Sequence, residues 1–323
     1  MIKNLLVGCS IALASAIHLP TATAQTYPTR PIKLLVGFTT GGSTDSSARL
    51  IADRLSKSLG QPVLVENRPG ASGMVATELV AKAEPDGYQL LMAASATLTH
   101  AVISKKKGVD FAQDFTPISL VTTAPLVLVV SSNSPVTTVR ELIQAARSKP
   151  SGLSYASDGV GGLSHVTGEF FNSIAKTKVV HVPYKGGADA AMATASGQVE
   201  MNFSSVVGAL PLLNAKKLRP LAVTGPRRST LLPDVPTLSE LGITGMDLVG
   251  WAGLMGPPGL PKGITDQINA ALKDIVAVPE VRDAIVRQGF EVQGGSPEDF
   301  RKFIAQTATQ IEQVIKENQL KFD

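Results

Sequence analysis

The chain has 323 residues, of which 44% are hydrophobic, 5% aromatic and 17% charged, and its formal net charge at pH 7 is +4. This length suits two domains better than one, and the apolar content is ample for buried cores. The low aromatic content argues against a stacking platform for single-stranded nucleic acid, whereas a mild positive charge fits a protein that collects small anions.

The chain begins with the three parts of a secretory signal peptide. Lys3 supplies a positive charge, residues 5–17 are mainly apolar, and residues 22–24 (Ala-Thr-Ala) form a small-residue cleavage box. The apolar run is shorter than the about 20 residues that a transmembrane helix needs. We therefore predict export with removal of residues 1–24 by cleavage after Ala24. Too few residues precede the only cysteine, Cys9, for a lipoprotein signal, so the mature chain contains no thiol or disulfide.

The rest of the chain repeats one pattern, an apolar β-branched run followed by a Gly/Ser/Thr loop and an amphipathic helix. This pattern predicts strands at residues 32–38, 63–67, 89–93, 126–130, 153–156, 179–182 and 218–223. Helices are predicted at residues 46–59, from about residue 73, and at residues 139–146, where Thr138 and Glu141 form a capping box. Strands that alternate with helices predict parallel pairing in an α/β fold.

A last helix is predicted at residues 297–318, with Phe300, Ile304, Ile311 and Ile315 on one face. Irregular stretches at residues 114–117 and 225–236 indicate that the chain leaves one α/β block for another and returns near Trp251. We predict a two-lobed, type II-like clamshell, each lobe a mainly parallel sheet flanked by helices. Lobe 1 would comprise residues 25–127 and 251–323, and lobe 2 residues 128–250.

Three glycine-rich loops, at residues 39–45, 157–165 and 183–189, follow predicted strands and precede predicted helices. Ligands of open α/β sheets lie at this end of the strands, where glycine allows close approach and the free N–H groups of a helix attract anions. The candidate ligand contacts in and around these loops are Phe38, Thr40, Gly41, Gly42, Ser43, Thr44, Asp45, Ser95, Ser157, Gly161, His165, Tyr184, Lys185, Gly186, Gly187, Ala188, Asp189 and Ser205.

Several of these residues also have a purely structural interpretation. Asp45 is suited to capping a helix, and Ser157 to bonding its own backbone. His165 fits a satisfied interface histidine, and Tyr184 a packing residue. Because three such loops occur in one exported chain, we favour a shared ligand cleft.

Enzyme motifs are absent from the sequence. The loop with Gly159 and Gly161 has Ser164 where a dinucleotide-binding pattern requires a third small residue, and no phosphate-binding loop ends in Gly-Lys-Ser/Thr. Residues 70–73 (Gly-Ala-Ser-Gly) break the spacing of a nucleophile elbow. The histidines of the mature chain are not spaced as zinc ligands. We therefore expect no catalysis, no metal and no cofactor.

Motifs along nearly all of the mature chain resemble those of the tripartite tricarboxylate transporter solute receptors, the TctC or Bug family. They are YPTRPI (27–32), GGSTDSSAR (41–49), VENRPGASG (65–73), PDGY (85–88), DFTP (114–117), YASDGVGG (155–162), VPYKGG (182–187), KLRPLAVT (217–224) and LPDVPT (232–237).

The resemblance implies a monomeric periplasmic receptor with two lobes around a cleft, no cofactor, and delivery of the ligand to membrane permease subunits. It also implies that two loops hold a ligand carboxylate through main-chain groups and water, and these loops map onto residues 41–45 and 185–189. Thr39-Thr40 stands where the family commonly has a proline-containing pair, and Asp189 where it commonly has proline. Both departures lie at the ligand loops.

A small carboxylate is therefore the expected ligand, with an amino acid, a di- or tricarboxylate and an aromatic acid left open. Neither ligand loop contains arginine, and Lys185 is the only cation in them, so main-chain N–H groups are the expected donors. Two other functions stay open: a binding module that presents its ligand to a sensor protein, and an exported lyase or hydrolase.

Overall fold

The computed structural model describes residues 27–104, 110–148 and 152–317. The predicted signal peptide, its cleavage site and the lysine run at 105–107 lie outside the described residues. Within those ranges, no helix is long and apolar enough to cross a membrane.

Eleven strands occur in the described ranges. They are β1 Ile32–Val36, β2 Val63–Asn67, β3 Gln89–Ala94, β4 Thr116–Ala124, β5 Leu126–Ser131, β6 Ser154–Ser157, β7 Val180–Pro183, β8 Met201–Ser205, β9 Leu218–Val223, β10 Gly250–Gly256 and β11 Glu291–Val292. Ten α-helices occur in the same ranges. They are α1 Ser43–Leu59, α2 Met74–Ala81, α3 Ser95–Ile103, α4 Val139–Ser148, α5 Leu163–Ala175, α6 Gly187–Ala195, α7 Val206–Asn214, α8 Lys262–Ala277, α9 Pro279–Arg287 and α10 Pro297–Glu317.

Local chemistry sets several of these boundaries. Helix α1 ends at Gly60, whose left-handed φ of 71° lets its N–H bond the carbonyl of Ser56. Helix α4 begins with the predicted capping box, because Thr138 Oγ1 accepts the N–H of Glu141 at 3.1 Å while the Glu141 carboxylate accepts the N–H of Thr138 at 3.2 Å.

The strands form two sheets, each covered by helices, and the predicted two-lobed α/β fold is confirmed. The first sheet has the order β11-β4-β10-β3-β1-β2 and the second β7-β6-β8-β5-β9. We call the first sheet with its helices lobe 1 and the second lobe 2. The chain passes from lobe 1 to lobe 2 between β4 and β5, where only Pro125 separates the strands, and it returns with β10.

The sheets are mixed, whereas the alternation of strands and helices predicted mainly parallel pairing. In lobe 1, β1 pairs in parallel with β2 and β3, but β10 is antiparallel to β3 and β4. In lobe 2, β6 is parallel to β7 and β8, but β5 is antiparallel to β8 and β9. Every antiparallel pair includes β4, β5 or β10, the strands that carry the chain between the lobes. Of these, β5 and β10 follow the preceding strand without an intervening crossover helix. The stretch at 114–117, predicted to be an irregular connection, contains the start of β4.

Helix α10 contributes to the hydrophobic cores of both lobes. Phe300 and Ile304, near its start, are buried against lobe 1 residues that include Trp251. Ile311 and Val314, two to four turns later, are buried in the lobe 2 cluster that includes Phe171. The structure thus joins the lobes by a continuous helix as well as by the crossing strands.

Candidate functional site

The N-termini of α1 and α3 border one pocket in lobe 1. Gly42 precedes the first turn of α1 and Ala94 that of α3. The pocket has a volume of about 300 Å³ and is lined by residues from five segments of lobe 1: Phe38, Thr39, Gly42, Thr44, Ser47, Ala94, Ser95, Ala96, Ala124, Gly250, Trp251, Ala252 and Phe290. Four of the sequence-predicted contacts, Phe38, Gly42, Thr44 and Ser95, are brought together here.

Asp45 anchors the loop that leads into this pocket. Its buried carboxylate accepts hydrogen bonds from Gly41 N at 2.9 Å, Arg49 Nε at 3.0 Å and Asn67 Nδ2 at 2.8 Å. Burial would raise the pKa of Asp45, but the bonds from Arg49, Gly41 and Asn67 outweigh it and hold that pKa below its ordinary value. Because its oxygens are engaged within the protein, Asp45 is suited to positioning the loop.

The same loop contains a conformational constraint at Gly41. Its φ of +86° lies in the left-handed region, which glycine adopts without steric cost. Thr40, which is exposed, donates through Oγ1 to Asn67 Oδ1 at 3.2 Å and so adds to the attachment of this loop to the end of β2.

Helix α5 of lobe 2 places a third helix N-terminus next to this pocket. Its first turn follows Gly162. Gly161, Gly162 and the exposed Val160 line one side of a groove of about 530 Å³, and residues of α3 that include Ala96 and His100 line the other. Ala96 also lines the lobe 1 pocket, so the groove and the pocket adjoin at the start of α3. Gly161 is therefore the predicted lobe 2 contact that directly faces lobe 1.

Ser157 and His165 hold the loop before α5 in place. Ser157 is fully buried, and its Oγ bonds His181 Nε2 at 2.6 Å and the carbonyl of Gly159 at 3.1 Å. His165 Nδ1 accepts the N–H of Gly161 at 3.0 Å. Both side chains fit the structural interpretation given above, because each orients backbone of the glycine-rich loop.

The imidazole rings of His165 and His181 stack, with centroids 3.7 Å apart and planes inclined by 7°. Burial, reinforced by His181, lowers the pKa of His165 from 6.5 to about 4. Burial also lowers the pKa of His181, which the Asp158 carboxylate partly opposes. Tyr155, which bonds Glu169 at 2.6 Å, packs on the outer face of the His181 ring at 5.0 Å between centroids. The folded state thus favours two neutral imidazoles.

We expect acid to destabilise the protein through this pair. Between pH 6.5 and about 4 the unfolded chain binds a proton at His165 that the folded chain excludes, so stability is full above pH 6.5 and declines as the pH falls through this window. The shift corresponds to roughly 3 kcal/mol by pH 4. Urea denaturation of the unmodified protein and of His165→Gln at pH 7.5 and 4.5 measures the effect. Equal acid losses for both proteins would contradict it.

The third glycine-rich loop adjoins the second but faces a different hollow. Tyr184 N donates to the carbonyl of Ser157 at 3.0 Å, which joins the two loops. Tyr184, Lys185 and Asp189 line a hollow of about 740 Å³ beside α6 together with Met192 and Gln198. Gly186 precedes the first turn of α6, and Gly187 and Ala188 lie in that turn. The pocket and groove on the lobe 1 side contain none of these residues.

The remaining predicted contact, Ser205, caps α7. Its side chain accepts the N–H of Gly208 at 3.1 Å. The backbone of Ser43 begins α1, and its side chain lies outside the described part of the structure.

Sequence reasoning missed several walls of the lobe 1 pocket, notably Ser47, Trp251 and Phe290. Trp251 carried a usable signal, since it is the only tryptophan of the chain and lies where the chain was predicted to return to lobe 1. Ser47 also carried one, because it lies one helical turn after the predicted contact Thr44. Phe290 had none, because only the tertiary fold brings the loop before β11 to the start of α1.

A larger surface groove, of about 1170 Å³, lies on lobe 2 between α4 and residues 236–243. It contains no glycine-rich loop and no helix N-terminus except that of α4, which the capping box already satisfies. Volume alone therefore does not identify the ligand site, and the adjoining lobe 1 pocket and inter-lobe groove remain the better candidate. Among the described residues, no group of three or more His, Cys, Asp or Glu side chains is placed to hold a metal ion.

Two α/β lobes whose helix N-termini converge on a shared opening define a receptor that binds a small solute, in the manner of periplasmic binding proteins. Residues 47–320 match the sequence profile of TctC, the tripartite tricarboxylate transporter family receptor. The chain belongs to this family, which confirms the resemblance seen in the sequence motifs, and its function is that of a solute-binding transport receptor.

Similar proteins agree with this assignment. BugT of Bordetella pertussis is 32% identical over 316 residues, which cover 97% of each chain. A TctC solute binding protein from Polaromonas, without ligand, has a TM-score of 0.83 at 30% identity, covering 91% of this chain and 100% of that chain. The structure of R. palustris Rpa4515 with adipate has a TM-score of 0.73 at 34% identity, covering 91% and 99%.

Proposed function

We propose that the protein captures a small carboxylate in its inter-lobe cleft and delivers it to the membrane subunits of a tripartite tricarboxylate-type transporter. The convergence of three helix N-termini, those of α1 and α3 in lobe 1 and of α5 in lobe 2, carries this proposal. None of the three has a side-chain cap, and each presents first-turn main-chain N–H groups and the positive end of a helix dipole, which favour a carboxylate. The adipate in R. palustris Rpa4515, a relative with the same fold, supports this ligand class.

The protein in this proposal is a monomer in the periplasm and releases its ligand unchanged. Export with cleavage after Ala24 and the absence of catalysis both follow from the sequence patterns described above. We further propose that the lobes comprise residues 25–127 with 251–323 and residues 128–250, and that the predicted loop residues contact the ligand directly or position those that do.

A binding experiment with variants tests how the carboxylate is held. The main-chain mechanism predicts that Lys185→Ala weakens binding by about fivefold, near 1 kcal/mol, because Lys185 is exposed. Gly42→Val should weaken binding more than tenfold, because its side chain would enter the approach to α1. Gly42 has φ −71° and Gly187 has no left-handed φ, so valine at either position does not require a forbidden backbone conformation.

Titration calorimetry with a panel of dicarboxylates measures these affinities, and Gly187→Val tests the corresponding position at α6. A melting temperature close to that of the unmodified protein shows that each variant is folded. If Lys185→Ala abolished binding while both glycine variants bound normally, the main-chain mechanism would be wrong. If no carboxylate bound the unmodified protein, the proposed function itself would fail.

A further inference from the structure

Residues 289–291, at the turn from α9 into β11, connect the lobe 1 pocket with lobe 2. Phe290 lines the pocket. The residues on either side of it contact lobe 2: Gly289 lies against α7, and Glu291 bonds the stretch that follows β9. One short segment of lobe 1 thus combines a wall of the candidate ligand site with a direct contact between the lobes.

The carboxylate of Glu291 accepts three hydrogen bonds from lobe 2. Its Oε1 accepts the N–H of Thr230 at 2.7 Å and the hydroxyl of Ser229 at 3.1 Å, and its Oε2 accepts the hydroxyl of Thr230 at 2.5 Å. The two donor residues belong to lobe 2, because Leu231 and Val235 just after them pack in the cluster that includes residues of α7 and β9. Hydrogen bonds to an ionised acceptor are stronger than those between neutral groups, so these bonds join the lobes firmly.

Gly289 provides a second contact with lobe 2. Its φ of +83° lies in the left-handed region, and a Cβ at this position would overlap the side chain of Val207 in α7. The backbone of lobe 1 therefore approaches α7 so closely that only glycine fits. Because this contact and the bonds of Glu291 flank Phe290 in the chain, the position of Phe290 depends on the spacing between the lobes.

Strand β11 itself is attached to lobe 1. Glu291 pairs with Thr123 of β4, and the side-chain amide of Gln293 donates to Thr123 Oγ1 at 2.7 Å. On the side of α9, Phe290 N donates to the carbonyl of Ile285 at 3.3 Å. Since β11 is fixed to lobe 1 in this way, separation of the lobes would break the three bonds of Glu291.

From these contacts we infer that Glu291 is a positioning residue of the ligand site, which holds lobe 2 close to the lobe 1 pocket and keeps Phe290 in the pocket wall. Glu291 lines neither the pocket nor the groove between the lobes, so it acts through its neighbours. The inference rests on the proposed function, because it concerns how the same site retains its ligand.

The effect on binding follows from the population of the closed arrangement. A ligand that contacts both lobes binds tightly only when they are close together, and its apparent affinity falls in proportion to the fraction of molecules in that state. Hydrogen bonds that join the lobes raise this fraction whether or not a ligand is bound. Glu291 therefore contributes to affinity without a ligand contact of its own.

Removing the carboxylate tests this role, with succinate, malate and adipate as probes. Glu291→Ala should weaken at least tenfold the binding of each probe that the unmodified protein binds. The change should appear mainly as faster dissociation, because the ligand leaves when the lobes separate and Glu291 opposes that separation. In small-angle scattering without ligand, the variant should have a larger radius of gyration than the unmodified protein. A melting temperature close to that of the unmodified protein shows that the variant is folded.

Three further variants separate the hydrogen bonds from the charge. Thr230→Val removes one donor at nearly constant volume and should speed dissociation, but it should add little to Glu291→Ala because the two residues act through the same contact. Glu291→Gln keeps one acceptor oxygen and should have a smaller effect than alanine. Asp283→Ala removes the same charge from an exposed position of α9 and should leave the dissociation rate unchanged.

An unchanged dissociation rate or an unchanged radius of gyration in Glu291→Ala would overturn this inference while leaving the carboxylate receptor intact. An equal acceleration in Asp283→Ala would overturn it as well, because loss of charge alone would then explain the effect. Binding of none of the three dicarboxylates to the unmodified protein would instead overturn the proposed function, and with it the role of Glu291 at the site.

Discussion

Replacing Asp45 with alanine is expected to cost about 2–3 kcal/mol of unfolding free energy and at least tenfold in ligand affinity. The change removes a buried carboxylate that accepts three hydrogen bonds, and it leaves the Gly41 N–H and the Asn67 amide, which are only partly buried, without that acceptor. The loss of affinity follows because the loop that precedes α1 is held less firmly at the end of β2, where only the bonds of Asn67 with Thr40 and Phe38 remain. Urea denaturation and calorimetric titration measure the two effects.

Asp53→Ala is the matched control for this variant. Asp53 lies on the same helix and pairs with Lys57 at 3.0 Å, but its side chain is 59% exposed. Its removal should change stability by less than about 0.5 kcal/mol. If the two variants lost stability and affinity equally, Asp45 would have no special role in positioning the loop.

The second large effect is expected from Ile311→Ala in α10. Truncating this fully buried side chain should cost about 2–5 kcal/mol. Although Ile311 packs in lobe 2, the continuous helix connects it to Phe300, whose ring contacts Trp251 in lobe 1 at 5.6 Å between centroids. We therefore expect the unfolding transition reported by Trp251 fluorescence to move to lower urea together with the transition seen by circular dichroism.

Glu312→Ala, at the exposed neighbouring position, controls for changes in helix propensity and should leave both transitions in place. A lower midpoint by circular dichroism with an unchanged Trp251 transition would show that the lobes unfold independently, contrary to the coupling described.

Local sequence signals predicted the parts of the fold that depend on local chemistry. The strand at Val63–Asn67, the capping box of α4 and the glycine-rich turns before α1, α5 and α6 lie where the sequence placed them, because turn and cap residues act over a few positions. Ser157 also bonds the backbone of Gly159, as its structural interpretation required. Asp45 does not cap α1, because Gly42 is the capping residue and the Asp45 carboxylate accepts the N–H of Gly41 instead.

The sequence analysis did not predict strands β4, β8 and β10, whose sequences contradict the usual strand pattern. Strand β10 contains Gly250, Gly253 and Gly256, and β4 has Pro117 as its second residue. Strand β8 contains Asn202, Ser204 and Ser205. Each is specified by its neighbours: a side chain at Gly253, for example, would overlap the ring of Phe300 from α10. Such a requirement arises between residues far apart in sequence, so no local pattern reveals it.

Separation along the sequence also limits how much of the candidate site can be predicted. Loops that start helices could be identified because glycine and serine mark them, but the pocket walls formed by Trp251 and Phe290 come from segments about 200 residues away from α1. The mixed pairing of both sheets is a further consequence of long-range contacts.

The shared helix also determines when the molecule can finish folding during synthesis. Lobe 1 requires Phe300 and Ile304, and lobe 2 requires Ile311 and Val314. A nascent chain that ends before Phe300 therefore lacks part of both cores, and one that ends before Val314 still lacks part of the lobe 2 core. A ribosome-bound intermediate can form individual strands and helices, but neither lobe can complete its hydrophobic core until α10 has emerged. The order in which the residues are made thus keeps the polypeptide incompletely folded until α10 is available, which suits the export that we propose for this chain.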